Sequence, residues 1–214
     1  MPSLSPSNSS RLYYSILRLG LPVIAALFVV ILFLPGQRHH SVVLGKYAAV
    51  PPFSLTERSG KTITNHDLEG KIWVADFIFT TCPGPCPIIS ANMARLQQKL
   101  AGDNRVQLVS FTVDPQDDTP AVLAAYADHL GADPQRWWFL TGPEKPLYDL
   151  IHHGFLQTVE DNHGKQLQPG QYLVTHSTSV VLVDPQGFIR GIYNGLNDEE
   201  LNSLFNGIRQ LENE

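Results

Sequence analysis

Cys82 and Cys86 are the only cysteines of the chain, and in "DFIFTTCPGPCPIIS" each is followed directly by a proline. Two thiols at this spacing can close a disulfide, exchange electrons with partner thiols, or hold a soft metal as thiolates. A residue before proline avoids the helical region, so Cys82, Gly84 and Cys86 are expected to be extended or in turns. A helix is then expected to begin at Pro87, since proline suits the first helical position. Such a loop preorganises two sulfurs for either a disulfide or a two-thiolate metal site, and spacing alone does not separate the two. A plain structural crosslink is the weaker reading, because a bridge over so short a loop removes little chain entropy.

A third ligand would favour metal. Among the eight histidines, His39 and His40 fall in a proline-bounded tether, and His66 and His129 in surface turns or helix ends. His152 and His153 lie on a short helix, and His163 in a Gly- and Gln-rich loop. For all of these a solvated or hydrogen-bonded ring is the expected role. His176 differs, standing in "THSTSVVLVDP" at the start of a β-branched strand. In a thioredoxin topology the start of that strand faces the cysteine loop. Dithiol oxidoreductases of that topology usually carry a cis-proline there; this chain has Thr175-His176. Two thiolates and one imidazole form a soft, low-coordinate set suited to Cu(I) and tolerable for Cu(II), whereas Zn(II) usually takes a fourth ligand.

The elements that must position these residues read as a compact α/β domain from Phe53 to Glu214. "FSLTERSGKTIT" is a hairpin signal around Ser59-Gly60. "KIWVADFIF" is a nearly continuous apolar run, as expected of a strand buried on both faces, interrupted by Asp76. Ile88, Ile89, Met93, Leu96 and Leu100 form the expected buried side of the helix after the cysteines, which Gly102 ends. "RVQLVSFTV" is the next strand, and "DDTPAVLAAYADHLG" a helix capped by Asp118 or Thr119. "RWWFLTG" (strand), "EKPLYDLIHHGFL" (helix), the hairpin "STSVVLVDPQGFIRGIY" and a final helix capped by Asn197 complete the order. Alternating strands and helices imply a parallel core sheet covered on both faces, made mixed by the closing hairpin. A cysteine pair between the first core strand and its helix occupies the position of the redox loop in thioredoxin-like folds. There the helix dipole and free N–H groups favour thiolate over thiol.

Charge excludes one class of partner. The formal net charge is -5, and Arg11, Arg18, Arg38 and Lys46 all precede the first acid, Glu57, so the remainder carries about -9. Such a domain is no candidate for nucleic-acid binding. The apolar run Leu19–Leu34 would span ~24 Å as a helix, slightly short of a ~30 Å hydrocarbon core. Tyr13, Tyr14 and Arg18 can complete it by interfacial anchoring. The expected organisation is a cytoplasmic N-terminus (1–18), a transmembrane anchor (19–34), a tether (35–52) and the α/β domain (53–214). A cleaved signal peptide is the rival reading, but "FLPGQRHH" offers no small-x-small cleavage site. A mitochondrial presequence would carry more arginine than "MPSLSPSNSSR".

"DFIFTTCPGPCP", "FTVDPQDDTPAVL" and "HSTSVVLVDPQG" together resemble the Sco/SenC family of membrane-tethered copper proteins, in the expected order across nearly the whole domain. The resemblance implies a thioredoxin-like fold that binds a copper ion through Cys82, Cys86 and His176. It also implies a role in building the binuclear copper centre of cytochrome c oxidase subunit II. The family's acidic residue in the VDP element corresponds to Asp114, expected near the site, with Asp76 as a second acid beside it. The "LQPGQYLVTH" stretch is expected to be a loop that carries His176 in. The reading is therefore a copper carrier anchored in a bacterial inner membrane, facing the periplasm and served by an upstream copper donor or thiol reductant. A thiol–disulfide reductase that keeps the oxidase cysteines reduced is the alternative, and a thiol peroxidase of related fold a third.

Overall fold

In a computed structural model, residues 44–164, 166 and 174–214 are described. The expected N-terminal segment and anchor, the tether before Leu44 and most of the "LQPGQYLVTH" stretch lie outside them. Among the described residues, no helix is long and apolar enough to cross a membrane.

The apolar runs pair as their patterns demand. Strands β1 (Ser54–Glu57) and β2 (Thr62–Thr64) form the first hairpin, and β3 (Ile72–Ile78), β4 (Val106–Thr112) and β5 (Trp137–Thr141) a parallel core. On the other side β8 (Ser179–Val183) pairs antiparallel with β3, and β9 (Ile189–Asn194) antiparallel with β8. The seven-stranded mixed sheet runs β2-β1-β5-β4-β3-β8-β9. Every residue of β3 and β4 is buried, which is why both strands lack polar–apolar alternation.

Helices α1 (Cys86–Lys99), α2 (Pro120–His129), α3 (Glu144–Asp149) and α4 (Asp198–Leu211) connect or close these strands. A π-helical turn, Leu150–Gly154, extends α3. Phe155 beyond it packs edge-on against Trp73 and Phe77 and tilted against Phe111, covering one face of the sheet. The opposite face carries α1 and α2, tied to each other by the Ser90–Tyr126 hydroxyl pair at 2.9 Å. The β8–β9 turn forms as its sequence requires: Asp184 accepts from the Gln186 and Phe188 N–H groups, and Gly187 takes the left-handed conformation. Asn197 caps α4 by accepting from the Glu199 and Glu200 N–H groups.

Three local expectations are corrected and one open choice is decided. Helix α1 starts at Cys86 rather than Pro87, because the Pro85 carbonyl already accepts from Ile88 and Ile89. A proline in the first turn lacks only an N–H that would have no helical partner, so Cys86 becomes helical despite preceding it. Ile88 is 54% exposed, one position off the stripe that buries Ile89, Met93 and Leu96. Of the two candidate caps of α2, Thr119 serves, accepting from the Val122 N–H. His176 ends a separate ribbon instead of opening β8: β6 (Val159–Asp161) pairs with β7 (Val174–His176), and His176 lies opposite Val159.

Candidate metal centre

Strand β3 ends at Ile78, and the chain turns through Cys82, whose N–H donates to the Phe79 carbonyl, before α1 begins. Asp118 anchors this exit. Its carboxylate accepts from the Thr80 N–H, from the Thr80 hydroxyl at 2.5 Å and from the Thr112 hydroxyl at 2.5 Å. A buried acid with this many donors fixes the β3 and β4 ends together and sets where the thiol loop starts.

Cys82 and Cys86 are both free thiols and buried. The Cys86 Sγ lies 3.1 Å from the Nε2 of His176, and one ligand atom from each of Cys82, Cys86 and His176 falls within 4.8 Å of the other two. His176 reaches this position from the far end of the β6–β7 ribbon. Its Nδ1 lies 2.7 Å from the Ser177 carbonyl, which can only accept, so Nδ1 carries a proton and Nε2 is the nitrogen that faces the sulfurs. Phe79 packs edge-on against the ring at 5.8 Å and limits its rotation.

The two thiols are not equivalent. Cys82 is held well below the usual thiol range, first by the Cys86 thiol donating to it and then by His176 and the Cys86 and Gly84 N–H groups, against the opposing effect of burial. Cys86 is pushed up, by that same donation, by burial and by the charge of Asp76. Cys82 is therefore the sulfur that ionises first.

Asp76 lies in β3 on the face toward α1, fully buried. One of its oxygens accepts from the Ser110 hydroxyl at 2.5 Å, and Ser110 in turn accepts from the Trp137 indole N–H at 2.8 Å. Burial raises the Asp76 pKa to about 7, opposed by the Ser110 hydrogen bond and the nearby His176. Asp76 thus acts electrostatically on both Cys86 and His176. Asp114 is not part of the thiol cluster; it sits beyond β4, facing His163 and Asp117.

The Asp76 environment makes a prediction with a definite sign. An unfolded aspartate ionises near pH ~4, whereas folded Asp76 keeps its proton to about pH 7. Between those values folding binds a proton, so rising pH destabilises the native chain by up to about 1.4 kcal/mol per pH unit. Asp76→Asn has no proton to lose and keeps an acceptor for Ser110. Its stability relative to the native sequence is expected to rise from pH 4 to pH 7 and to level off above. Denaturant unfolding of both proteins across that range checks this; a constant difference would contradict it.

Ser110, Trp137, Thr80 and Phe79 carry no reading as site residues in the sequence, Asp118 reads there only as a helix cap, and His163 only as a loop residue. One signal was present: Asp76 and Ser110 are each a polar interruption in an apolar strand, and they pair directly across β3 and β4.

A mixed sheet with flanking helices, carrying two thiols and an imidazole at the end of its central strand, defines a thioredoxin-like protein built for thiol redox or soft-metal chemistry. The comparisons narrow this class. The SCO1/SenC family model matches residues 43–210. A SCO1/SenC family lipoprotein from Bacillus anthracis str. Ames is 32% identical over 79% of this chain and 97% of its own, with a TM-score of 0.70. BsSco, a member of the Sco family of cytochrome c oxidase assembly proteins in which a disulfide switch was identified, is 31% identical over 78% and 95%, with a TM-score of 0.67. Arabidopsis thaliana ScoI with copper bound is 26% identical over 78% and 99%, with a TM-score of 0.63. The chain belongs to the SCO1/SenC family.

Proposed function

We propose that this protein binds one copper ion through Cys82, Cys86 and His176 and delivers it to the binuclear copper centre of cytochrome c oxidase subunit II. The observation that carries the reading is the convergence of two thiols and an oriented imidazole within 4.8 Å. The donor chemistry fits the cargo: two sulfurs and one nitrogen suit Cu(I) and tolerate Cu(II). Relatives with copper bound and with a place in oxidase assembly support the same reading. The neutral run Leu19–Leu34 supports an anchored chain, with the domain in the periplasm, where oxidase copper sites are loaded and thiols meet redox partners.

The second reading, a reductase of the oxidase cysteines, is favoured by the inequality of the two thiols. A lowered Cys82 can attack a partner disulfide, and Cys86 can resolve the mixed disulfide, leaving both partner sulfurs reduced and a Cys82–Cys86 disulfide behind. An upstream thiol reductant would then restore the pair.

Copper titration of the full chain, recovered from salt-washed membranes, tests the first reading. Reduced protein is expected to bind one equivalent, and protein oxidised to the Cys82–Cys86 disulfide none, because the ligands are thiolates. Equal binding by both forms would place the copper elsewhere. Recovery of the chain in the soluble cytosol would overturn the anchored placement.

A further inference from the structure

Asp114 is the buried acid that the thiol centre does not explain. It is 1% exposed, yet neither carboxylate oxygen accepts a hydrogen bond of good geometry. Two other buried acids are treated differently: Asp118 takes hydrogen bonds from Thr80 and Thr112, and Asp184 takes two backbone N–H groups and Arg190. An ionised carboxylate buried without donors is strongly unfavourable. Two further donors stand beside it. The His163 Nε2 lies 3.8 Å from one Asp114 oxygen, and one ligand atom from each of Asp114, Asp117 and His163 falls within 4.8 Å of the other two.

We propose that Asp114, Asp117 and His163 form a second metal site, for a borderline divalent cation such as Zn(II), separate from the thiol centre. At 3.8 Å the imidazole and carboxylate stand well beyond the ~2.8 Å of a charge-assisted hydrogen bond. Ligands of a tetrahedral zinc lie about 3.4 Å apart, so small side-chain rotations bring the three atoms into range. Two carboxylates and one imidazole, with Asp118 adding negative field nearby, suit Zn(II) and disfavour Cu(I), which prefers sulfur. Asp117 is exposed and His163 half-buried, which leaves room for water to complete the coordination.

The location gives the site a role. Asp114 lies two residues past β4 and His163 two residues past β6, whose partner β7 ends in His176. A cation there ties the loop after β4 to the ribbon that presents His176.

The experiment uses the full chain in detergent with Cys82→Ser and Cys86→Ser, which removes the thiolate ligands, and Co(II) as a visible probe. One Co(II) is expected to bind with d–d absorption free of sulfur charge transfer, and Zn(II) to displace it. Asp117→Asn and His163→Gln, both at accessible positions, are each expected to weaken Co(II) binding at least tenfold, and Asp114→Asn to abolish it. Zn(II) is expected to slow amide exchange in Val159–Asp161 and Val174–His176. Co(II) affinity unchanged by Asp117→Asn and His163→Gln, or no specific Co(II) binding at all, would reduce the cluster to an ion pair and overturn the proposal. Ribbon exchange indifferent to Zn(II) would overturn the link to His176.

Discussion

Cys82→Ser and Cys86→Ser are each expected to abolish the sulfur-to-copper charge-transfer pattern of the two-thiolate centre and to lower copper affinity by more than roughly 100-fold. That figure is the upper end for losing a group that merely supports a ligand, and here the ligand itself is removed. The two variants should also differ. With Cys86 gone, Cys82 loses the donor that most lowers its pKa, so its reaction with alkylating reagents near neutral pH should slow. With Cys82 gone, Cys86 loses the partner that most raises its pKa but stays fully buried, so its thiol should remain slow to react. Optical titration and alkylation rates read both effects. A two-thiolate spectrum surviving in either variant would exclude that sulfur as a ligand.

His176→Ala separates the carrier from the reductase. It deletes the imidazole that faces Cys86 at 3.1 Å and leaves both thiols able to form and break their disulfide. If delivery is the essential task, cells carrying the variant should lose the oxidase copper centre and most oxidase activity at limiting copper, with partial rescue by added copper. If dithiol chemistry suffices, His176→Ala should support assembly while Cys82→Ser does not. Delivery is the expected outcome, because an oriented third ligand is more than thiol exchange requires. Near-native oxidase activity in the His176→Ala strain, at limiting copper and equal protein level, would defeat it.

The acids around the site show how far position in sequence reaches. Asp76 stands within β3 and Asp114 two residues past β4, and both were expected near the centre. Asp76 is fully buried and acts on Cys86 through the field, and Asp114 faces His163 and Asp117. Asp118, one of the two expected caps of α2, leaves that place to Thr119 and holds the two strand ends together.

The sequence by itself determined what depends on neighbours along the chain. The unalternating runs of β3 and β4 specify strands covered on both faces. The Asp184–Gly187 turn and the Asn197 cap are local hydrogen-bonding chemistry, and the cysteine spacing places two thiols at one strand end. Periodicity also carries the order of elements, and with it the mixed sheet. Tertiary structure alone decided which distant side chains meet. His176 reaches Cys86 across 90 positions of sequence because the β6–β7 ribbon pairs in one register, with Val159 opposite His176. Asp76 meets Ser110 because β3 and β4 lie in parallel register, and Asp114 meets His163 because the chain returns past the end of β4. Such contacts are set by strand register and by how buried charges find partners, and neither leaves a periodic trace in the residues themselves.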